Sequence, residues 1–268
     1  MIFLRTVTLR HGAADGPLEF PFSVPAIRSL PGIEFSSAVT FFVGENGSGK
    51  STLLEGLAAA TSLPAVGSEH TASDDTLAAQ RRLASALHLV WNRRTHKGFF
   101  LRAEDFFGFA KMLSRMRVEF QRRLREIDEE YLDRSAQARG LAKMPMATSL
   151  AEMERRYGTN LDANSHGQSF FTLFRSRFVP GGLYLLDEPE APLSPQSQLA
   201  LIAMIKDMIT QDAQFIIATH SPILLAFPGA RIVSFDASPI REVAYEDLEH
   251  VALTRDFLKN PETFLRRL

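Results

Sequence analysis

Three glycines, a lysine and two hydroxyl residues lie close together near the start of the sequence. The segment GENGSGKS, residues 44–51, matches the G-x-x-x-x-G-K-[ST] pattern of a phosphate-binding loop. Its glycines open backbone conformations in which successive N–H groups can converge on phosphate oxygens. Lys50 can reach the β- and γ-phosphates, and the Ser51 hydroxyl can ligate Mg²⁺. The pattern therefore predicts that this loop binds a nucleoside triphosphate.

The residues on either side of the loop supply the strand and the helix that such a site needs. The apolar run 39–43 predicts a buried strand, and Leu53, Leu54 and Leu57 follow the loop at helical spacing. A helix that begins here adds its positive N-terminus to the anion site. We expect the nucleotide contacts to come from the loop and the first helical residues, namely Gly44, Glu45, Asn46, Gly47, Ser48, Gly49, Lys50, Ser51 and Thr52.

Two carboxylates follow a second apolar run in the segment LYLLDEPE, residues 183–190. The carboxyl ends of strands are where open α/β sheets bind ligands. Asp187 is therefore expected to bind Mg²⁺, which takes few carboxylates together with phosphate oxygens. Glu188 can orient or deprotonate the attacking water. An acidic turn after a buried strand is the simpler interpretation, but a phosphate loop in the same chain requires a metal partner of this kind.

A histidine follows a third apolar run in the same way. The strand-like residues 215–218 end in Thr219, His220 and Ser221. His220 can contact the γ-phosphate or the attacking water as a neutral donor. Five other histidines are expected to be structural, namely His11, His70, His88, His96 and His250.

The composition sets limits on the class of protein. The chain has 268 residues, 45% of them hydrophobic, and a net charge of −1, which argues for neither an acidic nor a basic partner. It contains no cysteine, so disulfides and thiolate metal sites are excluded. No apolar run approaches the roughly 18 residues of a membrane span, and the N-terminus does not resemble a signal peptide. We expect a cytoplasmic protein without a transmembrane segment.

The sequence divides into three blocks. Residues 1–60 contain strand-like runs and the phosphate loop, residues 61–164 are polar, charged and predicted helical, and residues 165–268 return to apolar runs alternating with helical ones. Within the first block we expect strands at 2–9, 22–28 and 39–43. Apolar strands that alternate with helices predict an α/β fold with a mostly parallel sheet. The helical block is expected to be an insertion into a single domain spanning 1–268.

The segments GENGSGKST, LYLLDEPE and ATHSP, in this order, resemble the ATP-binding cassette (ABC) ATPases, over roughly residues 1–60 and 160–235. The resemblance implies a P-loop NTPase fold of the ABC type, with N-terminal antiparallel strands beside the central sheet. It also implies ATP and Mg²⁺ as cofactors. Lys50 would belong to Walker A, Asp187 to Walker B, Glu188 would be the catalytic carboxylate and His220 the switch histidine.

The same family carries a signature motif, Leu-Ser-Gly-Gly-Gln, a little over twenty residues before the Walker B aspartate. Here Ser165, Gly167 and Gln168 match it, starting 22 residues before Asp187, whereas His166 replaces the first glycine. In the family this motif binds the γ-phosphate held by a second subunit. The resemblance therefore implies a homodimer when ATP is bound.

A helical segment indicates the branch of the family. Residues 109–131 carry apolar side chains at spacings of three and four, which predicts a long amphipathic helix. It resembles the arm of the soluble RecF/SMC-like "predicted ATPase" branch of AAA-family proteins, and Arg102 or Glu104 stands where transporter ATPases have a glutamine. The leading hypothesis is a Mg-ATP-dependent ATPase that acts on DNA or a partner protein. The alternatives are the energising subunit of a membrane transporter and a regulatory switch that barely hydrolyses ATP.

A local charge bias bears on the choice between DNA and protein. Residues 81–125 contain ten arginines and two lysines against three acidic residues, a net charge of +9. Such a segment can neutralise nucleic-acid phosphates. It can equally be a solvated helical face that is balanced by the acidic stretch Glu126 to Asp133. The sequence leaves both interpretations open.

Overall fold

The computed structural model describes residues 1–66, 78–157 and 166–266. These residues form two compact units. The first consists of Met1–Ala103 and Val179–Leu268, and the second of Glu104–Phe178.

Strands and helices are numbered here in chain order. The strands are β1 (Leu4–Leu9), β2 (Ile33–Glu34), β3 (Val39–Val43), β4 (Leu87–Trp91), β5 (Gly98–Arg102), β6 (Leu183–Asp187), β7 (Gln214–Ala218), β8 (Arg231–Ser234) and β9 (Arg241–Glu242). The helices are α1 (Pro25–Arg28), α2 (Lys50–Thr61), α3 (Ala78–Ala86), α4 (Ala103–Glu130), α5 (Ala136–Tyr157), α6 (His166–Arg177), α7 (Pro195–Thr210), α8 (Pro222–Leu225), α9 (Glu249–Lys259) and α10 (Pro261–Leu265).

A six-stranded sheet forms the centre of the first unit, in the order β5-β6-β7-β3-β8-β9. Its first five strands run parallel, and only β9 pairs antiparallel, with β8. Every residue of β3, β6 and β7 is buried, as expected for parallel strands covered on both faces. Helix α2 packs against this sheet and buries Leu53, Leu54 and Leu57. The predicted α/β fold with a mostly parallel sheet is confirmed.

The N-terminal strands form a separate antiparallel sheet in the order β2-β1-β4. One buried side chain ties this sheet to the central one. Gln214, the first residue of β7, accepts hydrogen bonds from the backbone N–H groups of Phe3 (2.8 Å) and Leu4 (2.9 Å), and it donates to the Leu4 carbonyl (2.9 Å). The predicted antiparallel N-terminal strands are thus confirmed.

Two of the secondary-structure expectations are wrong. The run 22–28 is not a strand, because Pro25 begins the short helix α1, and the fixed φ of proline suits the first position of a helix. The block 61–164 is not helical throughout, since β4 and β5 lie within it and belong to the two sheets of the first unit. Both strands are rich in aromatic and branched residues, but charged segments on either side obscure the pattern.

The second unit is helical and consists of α4, α5 and α6. The predicted amphipathic helix is confirmed as part of α4, which buries Phe106, Leu113 and Ile127. Phe106 packs edge-on against Phe170 of α6 with ring centroids 4.9 Å apart. None of the described helices combines the length and the apolar character needed to cross a membrane.

Candidate active site

The phosphate loop lies between the end of β3 and the start of α2. Gly44 (φ +145°) and Gly49 (φ +106°) adopt backbone conformations that favour glycine. A Cβ atom at position 44 would also lie 2.9 Å from the Ser48 hydroxyl and 3.0 Å from an Asp236 carboxylate oxygen. The loop therefore needs glycine at position 44 for both its conformation and its packing.

Lys50 is held inside the loop. Its Nζ donates to the carbonyl oxygens of Gly44 (2.6 Å) and Glu45 (2.9 Å), and only 4% of the residue is exposed. Burial lowers the pKa of Lys50, and the carboxylates of Glu188 and Asp187 oppose that shift. The ammonium group is thus aligned with the loop backbone and surrounded by acidic side chains.

Asp187 meets Ser51 at the end of β6. The Ser51 hydroxyl donates to Asp187 Oδ1 across 3.1 Å. Burial raises the pKa of Asp187 to about 6, the hydrogen bond from Ser51 lowers it, and the charge of Glu188 raises it further. A hydroxyl and a carboxylate at this distance are hard oxygen ligands, so these two residues fit Mg²⁺.

Across the three described segments, no group of three or more His, Asp or Glu side chains is placed to hold a metal by itself. A magnesium ion at Ser51 and Asp187 would therefore take further oxygens from phosphate and water, which is the coordination that Mg²⁺ favours at nucleotide sites.

Glu188 and His220 lie next to this pair. Glu188 has a left-handed backbone (φ +50°), which is costly for a residue with a side chain and typical of functional sites. Its N–H donates to the carbonyl of Ala218 (2.9 Å), and its Oε1 lies 3.9 Å from Nε2 of His220. Burial lowers the pKa of His220, the charge of Lys50 lowers it further, and Glu188 opposes the shift. The imidazole is therefore neutral near pH 7.

The strand order explains why these residues come together. β7 lies between β3 and β6, and Ala218 at its end pairs with Phe42 on one side and with Asp187 on the other. The parallel strands end at the same edge, so the phosphate loop, the acidic residues and His220 follow neighbouring strands. The structure thus brings together Lys50, Ser51, Asp187, Glu188 and His220. Their catalytic roles stay predictions.

The signature residues are described only in part. Ser165 lies outside the described residues, and Gly167 and Gln168 fall in the first turn of α6. Of the remaining predicted contacts, Asn46, Gly47 and Ser48 lie in the loop and Thr52 lies in α2.

Sequence reasoning missed two acidic residues at the site. Asp236, two residues after β8, accepts a hydrogen bond from the loop N–H of Glu45 (2.6 Å). Glu55, one turn along α2 from Ser51, forms an ion pair with Arg102. Arg102 itself ends β5 and is the register partner of Asp187. The sequence offered one signal for each residue. Asp236 shortly follows a fourth apolar run, and Glu55 lies four residues after the loop serine.

Two of the five arginines of α4, Arg122 and Arg123, are paired with acids of the same helix. Arg122 contacts Glu119 (2.5 Å), and Arg123 contacts both Glu126 and Glu130 at 3.0 Å. Arg115 is exposed, and no ion pair to it occurs among the described residues. These pairs balance part of the positive charge counted in the sequence, so they favour the interpretation of a solvated helical face.

Fold and site together define a P-loop ATP hydrolase. The chain belongs to the family described as "AAA domain, putative AbiEii toxin, Type IV TA system", whose model matches residues 80–226. A second family model, described as "AAA domain", matches residues 25–84. A comparison with curated proteins finds no match. The predicted membership of the AAA-family ATPases is confirmed, whereas the RecF/SMC-like, ABC-type branch stays a prediction.

Solved structures give weaker similarities. The Smc head domain of Pyrococcus furiosus, with an extended coiled coil and bound to the C-terminal domain of ScpA, is 13% identical over 96% of this chain and 100% of that chain, with a TM-score of 0.46. A nucleotide-free ATP-binding cassette from an ABC transporter is 16% identical over 98% and 99% of the two chains, with a TM-score of 0.44. The SMC head domain of Thermotoga maritima is 13% identical over 90% and 98%, with a TM-score of 0.39. Similarities this low add no argument to the family matches.

Proposed function

We propose that this ATPase works on Mg-ATP bound between two copies of the chain. The observation that carries the proposal is the Ser51–Asp187 contact of 3.1 Å, with Glu188 and His220 beside it. Walker A and Walker B meet there through two oxygen ligands suited to Mg²⁺. The bound ion would neutralise charge on the β- and γ-phosphates.

The residues of the chain then have separate tasks. Lys50 exchanges its two loop carbonyls for phosphate oxygens, which are stronger partners for an ammonium group because they are charged. Glu188 accepts the proton of the attacking water, since its side chain lies beside the Ser51–Asp187 pair and is open to solvent. His220 is neutral near pH 7, so it donates one hydrogen bond without adding charge.

The second copy supplies the other face of the nucleotide. The Glu188 side chain is 47% exposed, so the water that it activates is not shielded by its own chain. Ser165, Gly167 and Gln168 of the second copy would cover this side, since the start of a helix such as α6 suits an anion. Closing the site also excludes bulk water and strengthens every charge interaction in it.

Phosphate release measured against protein concentration tests this function. With Mg²⁺ present, the rate per chain should rise with concentration until the dimer saturates, and EDTA should abolish it. A rate per chain that is independent of concentration, from a protein that stays monomeric with ATP, would rule out the two-copy site. Hydrolysis that survives EDTA would rule out the magnesium requirement.

For the molecule on which the ATPase acts, we propose a protein partner ahead of DNA. The ion pairs of Arg122 and Arg123 leave fewer cations for phosphates than the sequence count suggests. Titration of labelled DNA against the ATP-loaded protein at low salt decides between the two. Tight binding under these conditions would make DNA the favoured partner.

The two alternative roles have different signatures. A transporter subunit should copurify with a membrane protein, and a regulatory switch should dimerise with ATP while its turnover stays negligible. The cytoplasmic location stays a prediction.

A further inference from the structure

Glu190 is a third acidic residue at the end of β6, and its side chain points back into the protein. Its Oε1 accepts a hydrogen bond from the backbone N–H of His220 at 2.8 Å. Its Oε2 is buried and has no hydrogen-bond partner in the described parts of the chain. The carboxyl group thus reaches from the segment after Glu188 to the loop that follows β7.

We propose that Glu190 is a positioning residue that holds His220 against Glu188. The inference rests on the proposed function, in which His220 assists hydrolysis. Glu190 does not touch the reacting atoms and acts only through the backbone of His220.

One hydrogen bond ties Glu190 to this loop, from the backbone N–H of His220 to Oε1. Burial raises the pKa of Glu190, and this hydrogen bond opposes the shift. Oε1 can accept the His220 N–H in either protonation state, so the link does not depend on the charge of Glu190. Thr219 Oγ1 accepts the N–H of Ser221 in turn (3.0 Å), so the whole turn is fixed.

The link matters because the imidazole of His220 makes no hydrogen bond within the described residues. Its Nε2 is buried without a hydrogen-bond partner and lies 3.9 Å from Glu188 Oε1, beyond hydrogen-bond distance. The direction of the ring therefore depends on the backbone of its own residue, whose N–H is held by Glu190. A catalytic group displaced by about 1 Å can lose up to about a hundredfold in rate.

A double-mutant cycle tests the proposal. Glu190→Ala removes the acceptor, whereas Glu190→Gln keeps an oxygen at the same place and serves as the matched control. We expect Glu190→Ala to lower kcat about tenfold, as for a modest displacement of a catalytic group, with KM for ATP unchanged. Glu190→Gln should retain most of the activity. In a His220→Ala background, Glu190→Ala should cause no further loss.

The outcomes separate this inference from the function on which it rests. If His220→Ala hydrolyses ATP at the parental rate, the proposed role of His220 is wrong. If His220→Ala is impaired and Glu190→Ala lowers kcat equally in both backgrounds, only the positioning role is wrong. An unchanged kcat in Glu190→Ala also overturns it. Should Glu190→Ala fail to fold, the cycle is run with Glu190→Asp, whose shorter side chain withdraws the acceptor and should give the same non-additive loss.

Discussion

Ser51 donates its hydroxyl hydrogen to Asp187 across 3.1 Å, and this contact joins the helix after the phosphate loop to the end of the acidic strand. Asp187 is buried at this point, and its pKa is raised to about 6. The buried carboxylate is costly to ionise in the protein alone. It is well suited to bind a cation, because the positive charge of a metal ion stabilises the ionised form.

Replacing Asp187 should therefore increase the stability of the protein without metal while it abolishes the activity. The folded protein holds the Asp187 proton more tightly than the unfolded chain, with a pKa of about 6 against 3.8. Without metal, the stability contributed by this proton is present at low pH and is lost as the pH rises from about 4 to about 6. Asp187→Asn should thus raise the free energy of unfolding at pH 8, by roughly 3 kcal/mol at most, while abolishing Mg-ATP hydrolysis.

Urea unfolding in EDTA at pH 8 and at pH 4 measures this effect. The gain should shrink towards zero at pH 4, where the native carboxyl group is neutral. A variant that is less stable than the parent at both pH values would contradict the assigned pKa.

Lys50→Ala should abolish ATP binding. The substitution removes the cation that the loop directs at phosphate, and it also leaves the carbonyls of Gly44 and Glu45 without their buried donor. Binding of a fluorescent ATP analogue is the measurement, with Lys259→Ala, an exposed lysine of α9, as the control. ATP hydrolysis at the parental rate by Lys50→Ala would refute the phosphate-loop assignment.

Glu188→Gln should bind ATP but not hydrolyse it. The amide keeps the size of the side chain and loses the base that accepts the proton of water. An ATP-bound dimer should then accumulate, which light scattering after gel filtration detects. The parental protein with ADP is the matched control and should remain monomeric. A Glu188→Gln protein that hydrolyses ATP and stays monomeric would contradict both the base and the two-copy site.

Arg102 and Glu55 should each destabilise the protein when the other is removed. The two side chains are 24% and 13% exposed, and Glu55 also accepts a hydrogen bond from Gln80 (2.7 Å). Removing one partner leaves a poorly solvated charge, so Arg102→Met or Glu55→Met should each lower the free energy of unfolding by about 3 kcal/mol. The double variant should recover much of that loss in urea unfolding. Single variants as stable as the parent would show that the pair is neutral.

Arg115 is the better probe of nucleic-acid binding on α4. It is exposed, and no ion pair like those of Arg122 and Arg123 reaches it from the described part of the chain. If this face binds DNA, Arg115→Ala should weaken binding on every sequence and reduce the salt slope by about one. Arg122→Ala is the matched control and should have a smaller effect. Equal effects of Arg115→Ala and Arg122→Ala on DNA affinity would mean that the ion pairs do not compete with phosphate. If the parental protein binds no DNA at low salt, DNA is excluded as a partner.

The phosphate loop could be predicted from sequence because its spacing alone determines the backbone. Gly44, Gly49 and Lys50 are close in the chain, and their conformation follows from local sterics. The placement of Asp187 and His220 was predictable for a related reason, since each follows an apolar run and parallel strands end at one edge.

Contacts between distant segments could not be predicted in this way. Nothing local to Asp236 indicates that it reaches the N–H of Glu45, and nothing local to Glu190 indicates that it reaches His220. The strand expected at 22–28 failed because alternating apolar residues outweighed the signal of Pro25, which begins a helix there. Apolar periodicity thus identified the strands that are buried on both faces, and misjudged a short segment at the margin of the core.

The position of β3 in the sheet has a consequence for synthesis of the chain. Both neighbours of β3 come from the C-terminal part, since Val39 pairs with Phe215 and Phe41 pairs with Ile232. The ribosome synthesises the N-terminal part first. The uncharged segment VTFFV therefore has no partner strand on either edge while most of the protein is still being translated. Segments of this composition associate with one another when unpaired. The edges of β3 in the nascent chain are therefore open to association with other chains until β7 has been synthesised, and slower translation lengthens that interval.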